Sequence, residues 1–159
     1  MLSTHPLAGD LGYLLRRVQI AVFQDFRDST AELRLRPAEY SVLLVLKQYP
    51  AMRQNRLAQM LAIKPANCAV LIDKLEKRGC VKREKLPVSG RAIALGITQA
   101  GEALLQQANR KVEKHRRRLR KRLGADGEQQ LLRLLNRLLR SFRPGRTGGI
   151  SLGARPGRE

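Results

Sequence analysis

The chain has 159 residues, long enough for one domain with a real core, and 43% of them are hydrophobic, which excludes a compositionally disordered polypeptide. Aromatic residues make up only 4% and tryptophan is absent, so that core must be aliphatic. Against 13 Asp and Glu stand 32 Lys and Arg, a formal net charge of +19, and such a field attracts polyanions, nucleic acid first and then membrane surfaces or acidic proteins.

The opening "MLSTHPLAGD" has neither the basic n-region nor the apolar h-region of a signal peptide, and no apolar run is long enough to span a bilayer. A cytoplasmic protein is the expectation. From about residue 7 to 35, apolar residues at Leu11, Leu14, Leu15, Val18, Val22 and Phe26 recur at gaps of three and four, the stripe of one long helix. "LRPAEYSVLLVLKQYP" predicts a second helix from Pro37 towards Pro50, since proline is favoured at a first helical position and cannot continue a helix. "RQNRLAQMLAI" is a short helix with Leu57, Met60 and Leu61 apolar.

A fourth helix starts at Pro65 and stops at Gly79, a residue type suited to the left-handed turn beyond a helix. Its core positions are Cys68, Leu71, Ile72 and Leu75, which leaves Ala66, Asn67, Val70, Asp73 or Lys74, and Lys77 on the opposite face. "CVKREKLPVSGRAIALGIT" then alternates around a loop with proline, serine and glycine, a two-stranded ribbon with Ile93, Leu95 and Ile97 on one inner face. The long helix after Thr98 carries Leu105, Ala108, Val112, His115 and Leu119 in a stripe and ends at Gly124. Asp126 is placed to cap the leucine-dense final helix, and the glycine-rich residues 144–159 read as a disordered basic tail.

A short helix, a turn, a second helix and a ribbon make a winged helix-turn-helix, in which the second helix enters the major groove and a basic tip reaches the minor groove. The expected class is mainly α with a small two- to three-stranded β-wing. At the wing, Lys85, Ser89, Gly90 and Arg91 form the tip, and an arginine there suits a narrow, electronegative minor groove.

The combination "LRPAEYSVLLVLKQYP…LAQMLAIKPANCAVLIDKLEKRGCVKRE…GRAIALGITQAGEALL" resembles the MarR family of bacterial winged-helix transcription factors over roughly residues 35–105. The resemblance implies a homodimer on a pseudo-palindromic operator, often under small-molecule control. It further implies a winged-helix core at about 37–97 and dimerisation helices at about 7–35 and 98–143, within one domain of residues 1–143.

Four positions depart from the family pattern. The short helix usually opens with Ser or Thr followed by Glu three residues on, a capping box. Here those places hold Arg53 and Arg56, and Lys64 precedes the reading helix where Asp or Ser is common. Each lost cap costs roughly 1 kcal/mol, and a cation at a helix start opposes the macrodipole, so extra phosphate contacts are the expected compensation. In the wing, the usual Asp-x-Arg is Ser89-Gly90-Arg91, which keeps the arginine and loses the aspartate that would orient it.

The candidate DNA contacts are therefore Arg53, Gln54, Arg56, Lys64, Pro65, Ala66, Asn67, Val70, Lys74, Lys85, Ser89 and Arg91. Asn67 suits an adenine edge and Ala66 and Val70 suit thymine methyls, while Lys74 suits a phosphate. Against this, an exposed asparagine near a helix start often caps or is simply solvated. Candidate dimer contacts are Leu11 and Leu14 with Leu131, Leu135, Leu138 and Phe142, because the first and last helices look too apolar for one subunit to cover. An intramolecular bundle is the alternative.

Cys68 and Cys80 fall at aliphatic positions and read as core packing; two cysteines give neither a disulfide framework nor zinc-site spacing, so no metal or cofactor is expected. His115 reads as a satisfied interior histidine, with a pH or ligand sensor as the sharper idea. The run "KHRRRLRKR", Lys114 to Arg122, reads as a solvated face with general affinity for polyanions, a second DNA contact, RNA or an acidic partner being the alternatives. No phosphate-binding glycine loop, nucleophile elbow or metal cluster supports an enzyme. The expected function is a DNA-binding repressor, with a sequence-tolerant nucleoid or RNA-associated protein as the other reading.

Overall fold

A computed structural model describes residues 6–85, 93–124 and 126–142. The elements run α1 (Leu11–Ser29), a 3-10 turn (Ala31–Leu33), α2 (Pro37–Gln48), α3 (Gln54–Met60), α4 (Pro65–Lys77), β1 (Val81–Lys85), β2 (Ile93–Ile97), α5 (Gln99–Leu123) and α6 (Gly127–Ser141). The mainly helical winged-helix class is thus as expected.

Asp10 starts α1, its carboxylate accepting the Tyr13 N–H at 2.6 Å. The single helix expected over 7–35 is instead broken at Thr30. There the hydroxyl lies within hydrogen-bond distance of both the Phe26 and Leu35 carbonyls, 2.9 and 2.8 Å, and Arg34 adopts a left-handed φ of 47°. A buried threonine bonding backward to a carbonyl competes with the helical ladder and ends it. Pro37 then begins α2, and the Arg36 N–H donates to the Glu39 carboxylate at 2.9 Å.

The core is aliphatic and centred on α2, α3, α4 and the ribbon. Val42, Leu43 and Leu46 of α2 meet Leu57 of α3, Cys68, Ile72 and Leu75 of α4, and Leu95 of β2, all fully buried. Leu105, Ala108 and Val112 of α5 close it from the side, as their stripe predicts.

The ribbon is antiparallel with Val81 opposite Ile97, Arg83 opposite Leu95 and Lys85 opposite Ile93. A third strand is reduced to one bridge, with Met52 and Leu95 exchanging backbone bonds at 3.2 and 2.8 Å. One expectation fails here: Ile93 is not on an inner face but 53% exposed. It pairs with exposed Lys85 at the outer end of the ribbon, whereas Ala94 and Leu95 nearer the base are buried.

The ribbon returns through a tight junction. Thr98 caps α5 by accepting the Gly101 N–H at 3.0 Å and donates its hydroxyl to the Gly79 carbonyl at 2.5 Å. A Cβ on Gly101 would overlap the Cys80 carbonyl, so this close approach requires glycine. At the far end of α5, Asp126 occupies the cap position of α6 but its side chain makes no cap hydrogen bond, contrary to expectation. Arg120 joins α5 to α6 instead, bonding Glu113 at 3.5 Å and Glu128 at 2.7 Å.

Candidate nucleic-acid interface

Helices α3 and α4 meet through Leu57, Ala58, Cys68 and Ile72, all buried, and the turn between them passes Ala62 in a left-handed conformation, φ 52°. This fixes the face of α4 that stays outside. Pro65, Ala66, Asn67, Val70, Lys74 and Lys77 are all exposed, Val70 by 53%. An isolated valine so exposed on a helix with a full apolar face elsewhere is available for contact with another molecule.

Neither helix start has a side-chain cap. Arg53 and Lys64 sit at the cap positions with extended backbone and no side-chain cap bond. Arg53, Arg56 and Lys64 are exposed beside Pro65, while Gln54 is half-buried and its carbonyl lies 3.8 Å from the Cys68 sulfur. Sequence and structure therefore agree that cations replace caps here. Lys85 is exposed at the end of β1; Ser89 and Arg91 lie outside the described residues.

A residue the sequence pattern left unexplained organises the site. Arg83 stands on the inward side of the ribbon with Val81, where an apolar residue would be ordinary. Its guanidinium pairs with Asp73 at 2.6 Å and with Glu76, locking β1 onto α4, and these acids raise its pKa. Two neighbouring carboxylates would leave a negative patch on the side of α4, and Arg83 neutralises them. The signal was present in the sequence as acids three apart on α4 followed by an inward-register arginine on the next strand.

On the other side of α4, Arg78 donates to the Arg34 and Leu33 carbonyls, both at 3.0 Å, and lies 4.0 Å from Glu39. It ties the end of α4 to the turn between α1 and α2. A groove of about 880 Å³ opens along this tie, with Arg34, Lys74 and Lys77 on its rim and Leu33 and Leu35 in its wall. Those three cations have no ion pair among the described residues.

The cysteines and histidine take the structural roles expected. Burial pushes both thiols above the ordinary range, with Arg78 opposing this only partly at Cys80. His115 is buried, its ring edge-on to Phe26 with centroids 5.8 Å apart and its Nδ1 2.5 Å from the Asp25 carboxylate.

The candidate dimer residues share one property. Leu11, Leu14, Leu131 and Phe142 are exposed, by 37–68%, and Leu135 and Leu138 only half-buried. Helix α6 contributes no buried residue, so its leucine seam lacks cover within the chain.

Comparison with known proteins gives a consistent picture. The MarR family model matches residues 35–93. A candidate regulatory protein for the hcr operon of Thauera aromatica is 30% identical over 135 residues, covering 84% of this chain and 81% of that one. An HTH-type transcriptional repressor of Mycobacterium tuberculosis is 30% identical over 128 residues, 80% and 92% of the two chains. The solved repressor CouR, bound to a 23-mer DNA duplex, superposes with a TM-score of 0.80 at 37% identity, covering 84% of this chain and 94% of CouR. A second CouR structure, bound to p-coumaroyl-CoA, gives 0.81 at 37% identity, covering 87% and 98%.

Proposed function

The chain belongs to the MarR family, and from that membership we propose that it is a homodimeric transcriptional repressor, cytoplasmic, gripping duplex DNA and released by a small-molecule effector. The observation that carries this reading is the exposed face of α4, where Asn67 and Val70 stand between uncapped, cationic helix starts and a ribbon held by Arg83. On it, Asn67, Val70 and Ala66 address base edges in the major groove and Arg91 the minor groove. Arg53, Arg56, Lys64, Lys74 and Lys85 address phosphates, with Gln54, Pro65 and Ser89 alongside.

Dimerisation assigns Leu11, Leu14, Leu131, Leu135, Leu138 and Phe142 to the subunit interface and gives the operator its two-fold symmetry. An effector is supported by the CouR complex with p-coumaroyl-CoA, a ligand bearing several phosphates. The groove beside Arg78 suits such an anion, because its cations outnumber its two acids, Glu32 and Glu39, and include Lys74, which DNA would otherwise engage. No described helix is long and apolar enough to cross a membrane.

Selection of genomic fragments by the purified dimer, followed by footprinting of one, tests the proposal: a discrete, symmetric protected site is expected. Specific binding should exceed random-DNA binding by roughly a thousandfold. A ratio near one would favour the sequence-tolerant, nucleoid-type reading. Replacing Arg53 and Arg56 by glutamine should make the salt dependence of binding shallower by about 0.9 per phosphate contact removed. An unchanged slope would assign them no phosphate.

A further inference from the structure

The densest charge in the chain lies outside this site, on α5, and its side chains are sorted. Three cations on the flanks of the helix are matched to acids, Lys111 to Glu32 at 2.6 Å, Arg118 to Asp25 at 2.9 Å, and Arg120 to Glu113 and Glu128, while Arg116 and Arg122 stand off the line with no ion pair among the described residues. Arg110, Lys114, Arg117 and Lys121 are different. Spaced at i, i+4, i+7 and i+11, they fall on one line opposite the buried Leu105, Ala108, Val112 and His115. All four are exposed, and among the described residues none makes a hydrogen bond or ion pair. The line is about 16 Å long at the helical rise of about 1.5 Å per residue.

Stability of the chain does not account for this line. Like charges at three- and four-residue spacing oppose the helix that carries them. Only Lys121 reaches the last turn, where the helix macrodipole favours a cation. Self-association does not account for it either, since two such lines would repel while uncovered apolar faces lie on α1 and α6. Helix α6 repeats the pattern, with exposed Arg133, Arg137 and Arg140 on the side away from Leu131, Leu135 and Leu138.

We propose that the outward face of α5 is a second polyanion-binding surface that holds the phosphate backbone of a duplex DNA other than the one gripped by α4, so that one dimer joins two DNA segments. A strand presents one charge per about 3.4 Å of helix axis, so four or so phosphates pass under a line of this length. Duplex DNA is the occupant because the reading half already concentrates the protein on it, which gives a neighbouring stretch a high effective concentration at the far face. The contact reads charge and not sequence.

The test uses full-length protein and two random-sequence duplexes carrying donor and acceptor dyes, with energy transfer reporting that one protein particle holds both. Two double variants remove the same charge, Lys114→Gln with Lys121→Gln on the line and Arg116→Gln with Arg122→Gln off it; circular dichroism and sedimentation confirm fold and assembly. Bridging is expected in the parent and in the off-line variant. In the on-line variant it should be lost, with the salt slope of second-duplex capture shallower by about 2. Equal loss in both variants, or persistence in both, overturns the proposal, as does displacement of the second duplex by single-stranded RNA or polyglutamate at lower concentration than by competitor duplex. Because the probes are random in sequence, these results are independent of whether a symmetric operator is found by footprinting.

Discussion

Asp25 is the residue on which α1 and α5 are fastened. Arg118 donates to it at 2.9 and 3.3 Å and also reaches the Ser29 hydroxyl at 2.5 Å, while His115 approaches at 2.5 Å from the buried side. Arg118, then His115, holds the carboxyl below its ordinary value of 3.8 against the opposing effect of burial. A carboxyl depressed in the folded state contributes stability that is complete above the ordinary value and disappears as pH falls through the lower folded value. Asp25→Asn should therefore be less stable than the parent at neutral pH, and the gap should close below pH 3.8, within the depressed range. Urea unfolding of both proteins across that range reads the gap, and a pH-independent difference would remove the charge argument. Two glycines give a contrasting pair at the same scale. Gly79 has a φ of 67° with open space around a built Cβ, so Gly79→Ala should cost only the conformational penalty, about 1 kcal/mol. At Gly101 the added methyl meets the Cys80 backbone, which cannot yield cheaply, and Gly101→Ala should cost about 3 kcal/mol. Thermal unfolding that ranks them the other way would mean the Thr98 junction relaxes more freely than its bonds imply.

Elements whose identity rests on local periodicity were legible in advance, and those set by a partner distant in sequence were not. Pro37 and Pro65 each begin a helix and the α5 stripe buries Leu105, Ala108, Val112 and His115, because spacing and proline chemistry act within a few residues. The break at Thr30 depends on a hydroxyl reaching Leu35, and the exposure of Ile93 on how far α2 and α4 extend along the ribbon, neither of which a helical or strand period encodes. The outward face of α4 could be listed from the sequence because its opposite face is apolar, whereas the arginine that locks β1 onto α4 was signalled only indirectly, by acids three apart and an inward register. Arg83 breaks the ribbon's alternation, and its partners come from α4, seven and ten residues earlier. Its role gives a prediction at this scale. Arg83→Ala should unlock β1 from α4 and bare Asp73 and Glu76 beside the phosphates, lowering affinity for a selected genomic fragment about tenfold, roughly 1.4 kcal/mol. Adding Asp73→Asn and Glu76→Gln should restore most of that loss, since the bared charges would be gone. If the triple variant binds as weakly as the single one, Arg83 acts by orienting the wing and not by cancelling repulsion.

For the whole molecule, the decisive imbalance is between a well-packed winged-helix half and two helices, α1 and α6, that bury almost nothing within the chain. The fully buried side chains cluster on α2, α3, α4 and β2, whereas α6 buries nothing and α1 buries only Phe26. Leu132, Leu134, Leu139 and Phe142 are 52–69% exposed, more large apolar side chain than a helix facing only water carries, which marks α6 as an interaction surface. Burying a wholly exposed side chain of this size gains roughly 1.5–3 kcal/mol, so a second chain covering α1 and α6, the proposed interface, would gain a part of that from each of these half- to two-thirds-exposed residues. Pairing also determines what the reading half can do. One α4 on one half-site has few base contacts, and linking two through a rigid interface multiplies affinity by about 10²–10⁴ without any new contact. Leu138→Glu places a charge in the middle of that seam. The variant should sediment as a monomer with its reading half still folded, and its affinity for a symmetric site should fall by at least a hundredfold. Binding to random duplex, which depends on the phosphate-facing cations of each chain separately, should fall far less. A Leu138→Glu protein that stays dimeric would transfer the interface to some other surface, and one that dissociates yet protects the symmetric site unchanged would show that the two reading helices never acted together.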